Sequence, residues 1–218
     1  MIVTIDGPAG SGKSTAARGL AARLGFRFLD TGAMYRAVAF ACAKEGVDTA
    51  DEESVSRVAR QMRLDLAGDR VFIDGSDVTA ELRSPEIAQA ASIVAVIPAV
   101  RGAMAELQRK FARGNDLVTE GRDQGTVVFP EAQCKFFLTA DPRERAIRRQ
   151  IDLENKGTIL AVDEVLAELR KRDERDKRRL AAPLKPAPDA IQLDTSRMSA
   201  AEVLDELERI VHRRQANE

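Results

Sequence analysis

The feature that most constrains this chain lies in its first fourteen residues. An apolar strand pattern, Ile2–Asp6, leads directly into Gly7-Pro8-Ala9-Gly10-Ser11-Gly12-Lys13-Ser14, which has the spacing Gly-x-x-x-x-Gly-Lys-Ser. An amphipathic helical pattern follows from Thr15 to Leu24. In this strand-to-helix setting the spacing is typical of a P-loop, because glycines leave consecutive backbone N–H groups free to surround a phosphate. We therefore predict a nucleoside triphosphate site.

The predicted P-loop also assigns roles to individual side chains. A helix that begins at Lys13 directs its positive dipole end at the bound anion. Lys13 would bridge the β- and γ-phosphates, and the Ser14 hydroxyl would ligate the accompanying Mg²⁺. The residues expected to bind ATP are Gly7, Pro8, Ala9, Gly10, Ser11, Gly12, Lys13, Ser14 and Thr15.

Composition limits the partners. The chain has 218 residues, with 34 basic and 35 acidic side chains, so we expect no nucleic-acid partner. No apolar run approaches the roughly 18 residues that span a bilayer, so we expect no membrane partner. Cys42 and Cys134 lie in apolar surroundings without C-x-x-C spacing, which indicates reduced thiols and a cytoplasmic protein. We expect a monomer, with His212 at its surface.

Hydrophobic patterning predicts an α/β fold around a parallel sheet. Five apolar runs are interpreted as buried strands: Ile2–Asp6, Phe26–Asp30, Leu117–Glu120, Lys135–Thr139 and Ala190–Leu193. Several end at a polar residue, namely Asp6, Asp30, Glu120 and Asp194. Because open α/β sheets bind ligands at the carboxyl ends of their strands, we expect the site along that edge.

Two segments exceed what simple crossovers need. About 85 residues separate the second and third strands, whereas a parallel crossover needs about a dozen. Within them, Arg63–Ala67 and Val71–Asp74 predict a small antiparallel sheet around Gly68-Asp69, with another turn at Asp74–Asp77. Helical patterns flank this sheet at Gly32–Glu45, Glu52–Gln61, Pro85–Val96 and Ala99–Arg113. A second excursion is predicted to contain helices Arg143–Glu154 and Val162–Leu180.

The guanine-reading Asn-Lys-x-Asp of a GTPase is missing, since Asn155-Lys156-Gly157-Thr158 lacks the aspartate. Three other clusters of residues favour a small-substrate kinase. The first cluster, Asp30–Arg36, places a capping Thr31 at a helix start with Arg36 about one turn in. An ordinary capped helix with a surface arginine has the same pattern.

The second cluster, Glu120–Thr126, leaves its strand through a glycine and directs Arg122 and Asp123 into the cleft; a turn ion pair is the alternative. In the third, Arg170–Arg179, helical spacing puts four residues on one face. They are Arg172, Arg175, Asp176 and Arg179. A solvated helix with salt bridges is the alternative there.

Four segments together resemble the bacterial cytidylate kinases, members of the nucleoside monophosphate kinase family. They are Ile5–Thr15, Leu29–Arg36, Gly121–Pro130 and Arg172–Asp176, and the resemblance runs almost end to end. It implies a P-loop kinase with a five-stranded parallel sheet, an inserted monophosphate-binding subdomain with a small antiparallel sheet, and a short helical lid. The implied core is 1–34, 114–142 and 180–218, with the insertion at about 35–113 and the lid at about 143–179.

The resemblance also implies residue roles. Arg36, Arg122 and Arg179 would hold the acceptor phosphate and act with Lys13 in catalysis, and Arg172 and Asp176 would reach the ribose. Ser92, Arg101 and Asp123 would read cytosine, with Thr31 beside them; serine is common at position 31, and methionine at the position of Gln124. The candidate lid cations are Arg145, Arg148 and Arg149.

Residue chemistry agrees with a cytidine acceptor. A carboxylate accepts from the cytosine N4 amino group but meets an acceptor oxygen in uracil. The phosphate of CMP is largely dianionic at neutral pH, so positioning and charge neutralisation suffice without a strong general base. The expected reaction is ATP with CMP or dCMP. A kinase for UMP, AMP or a metabolite such as shikimate remains an alternative, as does a P-loop switch that hydrolyses nucleotide.

Overall fold

The computed structural model describes residues 1–155 and 157–216. Its strands are β1 (Ile2–Asp6), β2 (Arg27–Asp30), β3 (Leu64–Ala67), β4 (Arg70–Ile73), β5 (Ser76–Asp77), β6 (Leu117–Gly121), β7 (Cys134–Thr139) and β8 (Ile191–Asp194). Its helices are α1 (Lys13–Leu24), α2 (Thr31–Lys44), α3 (Glu52–Gln61), α4 (Pro85–Val94), α5 (Pro98–Ala112), α6 (Pro142–Glu154), α7 (Val162–Arg178) and α8 (Ala200–Gln215).

The chain forms two compact units. The first contains Met1–Leu29 and the chain from Asn115 onward, and the second contains Asp30–Gly114. The predicted division into core, insertion and lid remains a prediction.

The main sheet confirms the predicted parallel architecture. Its strand order is β2-β6-β1-β7-β8, which makes β1 the central strand. Ile5 lies beside Glu120 of β6 and Phe136 of β7, and both pairings are parallel. This arrangement brings the strand ends that carry polar residues to one edge, where the P-loop begins.

Apolar side chains of the sheet pack against α1 and α8. Val3 and Ile5 of β1 are fully buried, as are Leu20 of α1 and Leu207 of α8. Burying a side chain of this size contributes roughly 1.5–3 kcal/mol. The packing therefore fixes the base of the strand that carries the P-loop.

A smaller apolar cluster joins α6 to α7. Ala146 and Leu153 of α6 pack with Val165 and Leu169 of α7, and Ala9 of the P-loop belongs to the same cluster. Helix α6 also has a clear start signal, because the Asp141 carboxylate accepts from backbone N–H groups of its first turn.

The second unit contains the predicted antiparallel sheet, in the order β3-β4-β5. Leu64 lies opposite Ile73, and Asp51 and Ser84 cap α3 and α4 as N-caps. Of the helices in the described ranges, none taken singly has the length and apolar character to cross a membrane, although α4 and α5, bent by 103° at their junction, pass that test as a pair.

Candidate active site

The P-loop has the backbone that its glycines predict. Gly10 and Gly12 have φ angles of +76° and +83°, in the left-handed region that favours glycine. Gly7 has a φ of +151°, and a Cβ atom placed there would lie 2.1 Å from the Leu138 carbonyl oxygen of β7. Gly12 faces open space, with only the Arg148 guanidinium at 3.9 Å from such a Cβ. Glycine is therefore required at position 7 because a side chain would clash with β7, whereas at position 12 it is required only by the left-handed backbone conformation.

Alanine substitutions should separate these two requirements. We expect Gly7→Ala to lower the free energy of unfolding by roughly 2–5 kcal/mol, since it adds overpacking to backbone strain. Gly12→Ala should lower it by about 1–2 kcal/mol from strain alone. Urea denaturation of both variants measures the difference, and equal losses would contradict it.

Lys13 and Ser14 lie at the start of α1, immediately after the last P-loop glycine. The Lys13 ammonium is buried and donates to the Pro8 carbonyl oxygen at 3.0 Å. Burial lowers the pKa of Lys13 to about 7, and the charges of Arg122 and Arg172 act in the same direction. A bound triphosphate would supply negative charge beside Lys13 and so stabilise its protonated form.

Oxygen atoms suited to Mg²⁺ adjoin the P-loop. The Ser14 hydroxyl donates to Glu120 Oε1 at 2.8 Å, which places two hard donor atoms together at the end of β6. Within residues 1–155 and 157–216, no three or more His, Cys, Asp or Glu side chains form a metal cluster. The oxygens of Ser14 and Glu120 are of the kind that Mg²⁺ takes, since it is usually held by one or two protein oxygens together with substrate phosphates.

A buried cluster of opposite charges lies in the same unit. Arg122 donates from Nε to Asp176 Oδ2 at 2.8 Å, and Arg179 Nη1 lies 4.0 Å from Asp176 Oδ1. Burial alone would raise the pKa of Asp176, but Arg122, Arg172 and Arg179 outweigh it and hold that pKa below its ordinary value. Burial likewise opposes the charge of Arg122, yet Asp176 and Glu120 raise its pKa. The structure therefore gathers predicted acceptor residues around one carboxylate.

The α7 end differs from the prediction in two ways. The helix ends at Arg178 and not at Leu180, and Arg179 is its C-cap with an extended backbone (φ −60°, ψ 138°), although its buried side chain still lies beside Asp176. Arg175 is exposed, and the buried carboxylates of the helix are Asp173 and Asp176. The helical spacing therefore identified Asp176 and its neighbours, but it wrongly included Arg175 in the buried face, missed Asp173 and placed the end of the helix too late.

The turn after β6 has an unusual geometry. Gln124–Val128 forms one turn of π-helix, in which the Val128 N–H donates to the Asp123 carbonyl at 3.2 Å. Asp123 is buried, with 4% of its surface exposed, and comes immediately before this turn. Such π-turns occur frequently at functional sites.

The three candidate lid arginines have different surroundings. Arg145 is buried, donates to the Ala9 carbonyl oxygen at 2.9 Å and pairs with Asp173 at 2.7 Å. Arg148 donates to the backbone oxygen of Thr195 at 2.6 Å. Arg149 is half-buried. Their action on the γ-phosphate remains a prediction.

Sequence reasoning missed the partners of these arginines. Asp173 lies within the segment Arg172–Asp176 that carries the resemblance but was given no role, and Thr195 was not singled out. Thr195 Oγ1 also donates to the Ser11 carbonyl oxygen of the P-loop at 3.3 Å. The available signal for Thr195 was its position at the carboxyl edge of the sheet.

Four predicted acceptor residues belong to the second unit. Arg36 pairs with Asp30 at 3.1 Å. The expected capping role of Thr31 is wrong: Asp30 is the N-cap of α2, accepting from the Ala33 N–H at 2.8 Å, and Thr31 is the first helical residue. The Asp30 side chain occupies the capping position because its carboxylate reaches the third N–H of the helix.

Ser92 and Arg101 also belong to this unit. Ser92 donates from its hydroxyl to the Gln89 carbonyl at 2.8 Å within α4. Arg101 is buried, donates to the Ala95 carbonyl at 2.9 Å and lies 5.5 Å from the centre of the Tyr35 ring. These contacts hold the guanidinium in place by a hydrogen bond and by a cation–π interaction.

A five-stranded parallel sheet with a P-loop, a buried lysine and neighbouring arginines defines the class of P-loop kinases. A family model described as cytidylate kinase matches residues 3–213 of this chain. The chain therefore belongs to the cytidylate kinase family. Of the acceptors that the sequence left open, membership of this family favours a cytidine nucleotide.

Individual relatives agree with the family. The chain is 49% identical over 203 residues to the cytidylate kinase of Caldanaerobacter subterraneus subsp. tengcongensis, covering 93% of this chain and 91% of that one. It is 48% identical over 212 residues to the cytidylate kinase of Pseudomonas fluorescens strain SBW25, with coverages of 94% and 93%. A solved structure of an uncharacterized protein from Eubacterium ventriosum is similar in fold alone, with a TM-score of 0.50 and 14% identity over 99% of this chain and 98% of that one.

Proposed function

We propose that this protein transfers the γ-phosphoryl group of ATP to CMP or dCMP, giving CDP or dCDP. The observation that carries the proposal is the hydrogen bond from Ser14 to Glu120, which places the start of the P-loop helix beside the end of β6, two residues before Arg122. Burial lowers the pKa of Lys13, and the charges of Arg122 and Arg172 act in the same direction. A P-loop lysine is expected to contact the donor phosphates, and arginines beside it are suited to a second phosphate. The arrangement of these residues in one unit supports a donor phosphate site and an acceptor phosphate site that lie next to each other.

Catalysis then consists of alignment and charge neutralisation. The P-loop N–H groups and Lys13 hold the triphosphate, while Arg122 and Arg179 orient the acceptor phosphate for in-line attack. Asp176 holds these arginines in place through its carboxylate. Mg²⁺, held by Ser14 and near Glu120, would neutralise charge on the phosphate oxygens when bound.

Base and ribose recognition completes the proposal. Asp123 and Arg101 are both buried, which makes their hydrogen-bonding groups selective for complementary groups on a base. Arg172 and Asp176 are assigned to the ribose, Arg36 to the acceptor phosphate, and Thr31 and Ser92 to the base.

The proposal includes a monomeric enzyme of the cytoplasm that binds neither nucleic acid nor membrane. The nearly balanced charge supports the absence of nucleic-acid binding, since the chain has one more acidic than basic residue. Cys42 and Cys134 are buried free thiols, and burial raises the pKa of each to about 11. Sedimentation equilibrium measures the oligomeric state.

The proposed reaction is tested by ADP release in the presence of ATP, Mg²⁺ and one nucleoside monophosphate at a time. We expect CMP and dCMP to give the highest kcat/KM among CMP, dCMP, UMP and AMP. Turnover that is independent of an acceptor would support a nucleotide-hydrolysing switch instead. A preference for UMP or AMP would contradict the cytidine assignment while preserving the kinase.

Base choice can be tested at Asp123. We expect Asp123→Asn to narrow the ratio of kcat/KM for CMP over UMP by at least about tenfold, or ~1.4 kcal/mol. The reason is that the carboxylate accepts from cytosine N4, whereas the amide donates to uracil O4. Both values are measured at saturating ATP, with thermal melting to verify folding. An unchanged ratio in a folded variant would remove Asp123 from base recognition.

A further inference from the structure

The carboxylate of Asp6 holds the turn that carries Arg122 and Asp123. Asp6 ends β1 immediately before the P-loop, and its side chain is buried, with 4% of the residue exposed. Its Oδ1 accepts from the Gln124 N–H at 2.9 Å, and its Oδ2 accepts from the Gly125 N–H at 2.8 Å. Both carboxylate oxygens therefore bind consecutive backbone N–H groups at the start of the π-turn.

This arrangement needs a carboxylate rather than another polar group. An aspartate presents two acceptor oxygens, whereas an asparagine presents one acceptor and one donor. Burial raises the pKa of Asp6 to about 6, while the two backbone N–H groups oppose that rise. The charges of Asp123 and Arg122 also act on it, the first raising and the second lowering its pKa. At pH 7.5 the group is therefore mainly the acceptor-only carboxylate.

The same turn has further contacts with β1 and β6. A Cβ atom at Gly125 would lie 2.9 Å from Thr4 Oγ1, so the turn lies close against β1. The Thr119 hydroxyl of β6 donates to Gln124 Oε1 at 3.0 Å. On the N-terminal side, Gly121 is still in β6 and lies beside Asp6 in the parallel register. The backbone around Arg122 and Asp123 is therefore fixed at both ends.

We propose that Asp6 is a positioning residue for acceptor recognition, which sets the placement of Arg122 and Asp123 through the N–H groups of Gln124 and Gly125. Asp6 itself is assigned no contact with the acceptor. A shift of the turn would move a phosphate-binding guanidinium and a base-reading carboxylate together, so CMP use and base choice depend on the same carboxylate. This inference rests on the proposed function and on the role proposed there for Asp123.

The test compares Asp6→Asn with the matched control Asp51→Asn, in which an exposed N-cap carboxylate of α3 becomes an equally good capping amide. We expect Asp6→Asn to lower kcat/KM for CMP at least about tenfold and to narrow the CMP over UMP ratio at least about threefold. The KM for ATP should change less than about threefold. Asp51→Asn should leave all three values unchanged.

A double-variant cycle makes the test specific. If Asp6 acts through Asp123, adding Asp6→Asn to Asp123→Asn should not narrow the CMP over UMP ratio further, because coupled residues are non-additive. Thermal melting verifies that each variant is folded; Asp6→Ser is measured if Asp6→Asn does not fold, with the same expected changes. An unchanged ratio in a folded variant, or equal losses for ATP and CMP, would overturn the proposal. Absence of CMP turnover in the unmodified protein would instead overturn the proposed function.

Discussion

Lys13→Met should reduce kcat by a factor of roughly 10²–10³, because it removes the charge that we propose contacts the transferring phosphoryl group. The side chain of methionine has a similar length and no charge, so the P-loop backbone should keep its conformation. Coupled ADP release with CMP at saturating substrates measures the loss. Lys110→Met, at an exposed position of α5, is the matched control and should retain full activity. Retention of more than about a tenth of kcat would remove Lys13 from this role.

The same variant should not unfold the protein. Burial lowers the pKa of Lys13 to about 7, which means that the folded state disfavours the ammonium. Between that value and the ordinary pKa near 10.5, the unfolded chain holds a proton on Lys13 that the native chain has released. Stability from this group therefore rises with pH across that window. Relative to Lys13→Met, the unmodified protein should gain stability from pH 7 to pH 10, as measured by urea denaturation.

Arg122→Ala and Arg179→Ala should each lower kcat/KM for CMP by roughly 10- to 100-fold, as expected for loss of a charged hydrogen bond to phosphate. The KM for ATP should change by less than about threefold. Removal of either arginine also deprives the buried Asp176 carboxylate of a neighbouring cation, so some loss of thermal stability is expected.

Arg178→Ala is the control for these variants. Arg178 lies next to Arg179, but its side chain is 83% exposed and it pairs with the exposed Glu174. Such a pair contributes at most about 1 kcal/mol, and its loss should leave CMP kinetics unchanged. If Arg122→Ala and Arg179→Ala impair the use of ATP and of CMP equally, or change only the melting temperature, these arginines form structural salt bridges and do not bind the acceptor.

The strongest sequence patterns predicted secondary structure closely. The bounds of β1 and α3 are as predicted, because β1 is bounded by the P-loop motif and α3 by strong amphipathic periodicity. The β3–β4 hairpin is confirmed around Gly68-Asp69, where Gly68 has a φ of +59°. Local chemistry was sufficient in these places.

Long-range partners were not predictable in the same way. The pairing of Arg145 with Asp173 depends on how α6 packs on α7, and the contact between Asp6 and Gln124 joins residues far apart in sequence. The cap of α2 shows a local limit as well, since Asp30 and Thr31 are adjacent and both are good capping residues. Only the backbone geometry decides between them.

The position of β1 in the sheet also has a consequence for synthesis. Its neighbours are β6 and β7, so residues 2–6 cannot pair until residues 117–121 and 134–139 have been made. The β3–β5 sheet needs only residues 64–77 and closes from local contacts. Until β6 and β7 have been made, β1 is an unpaired apolar strand that can aggregate, because non-local pairing is slow. The P-loop, whose Gly7 packs against the Leu138 carbonyl of β7, therefore cannot reach its final packing before β7 has been made.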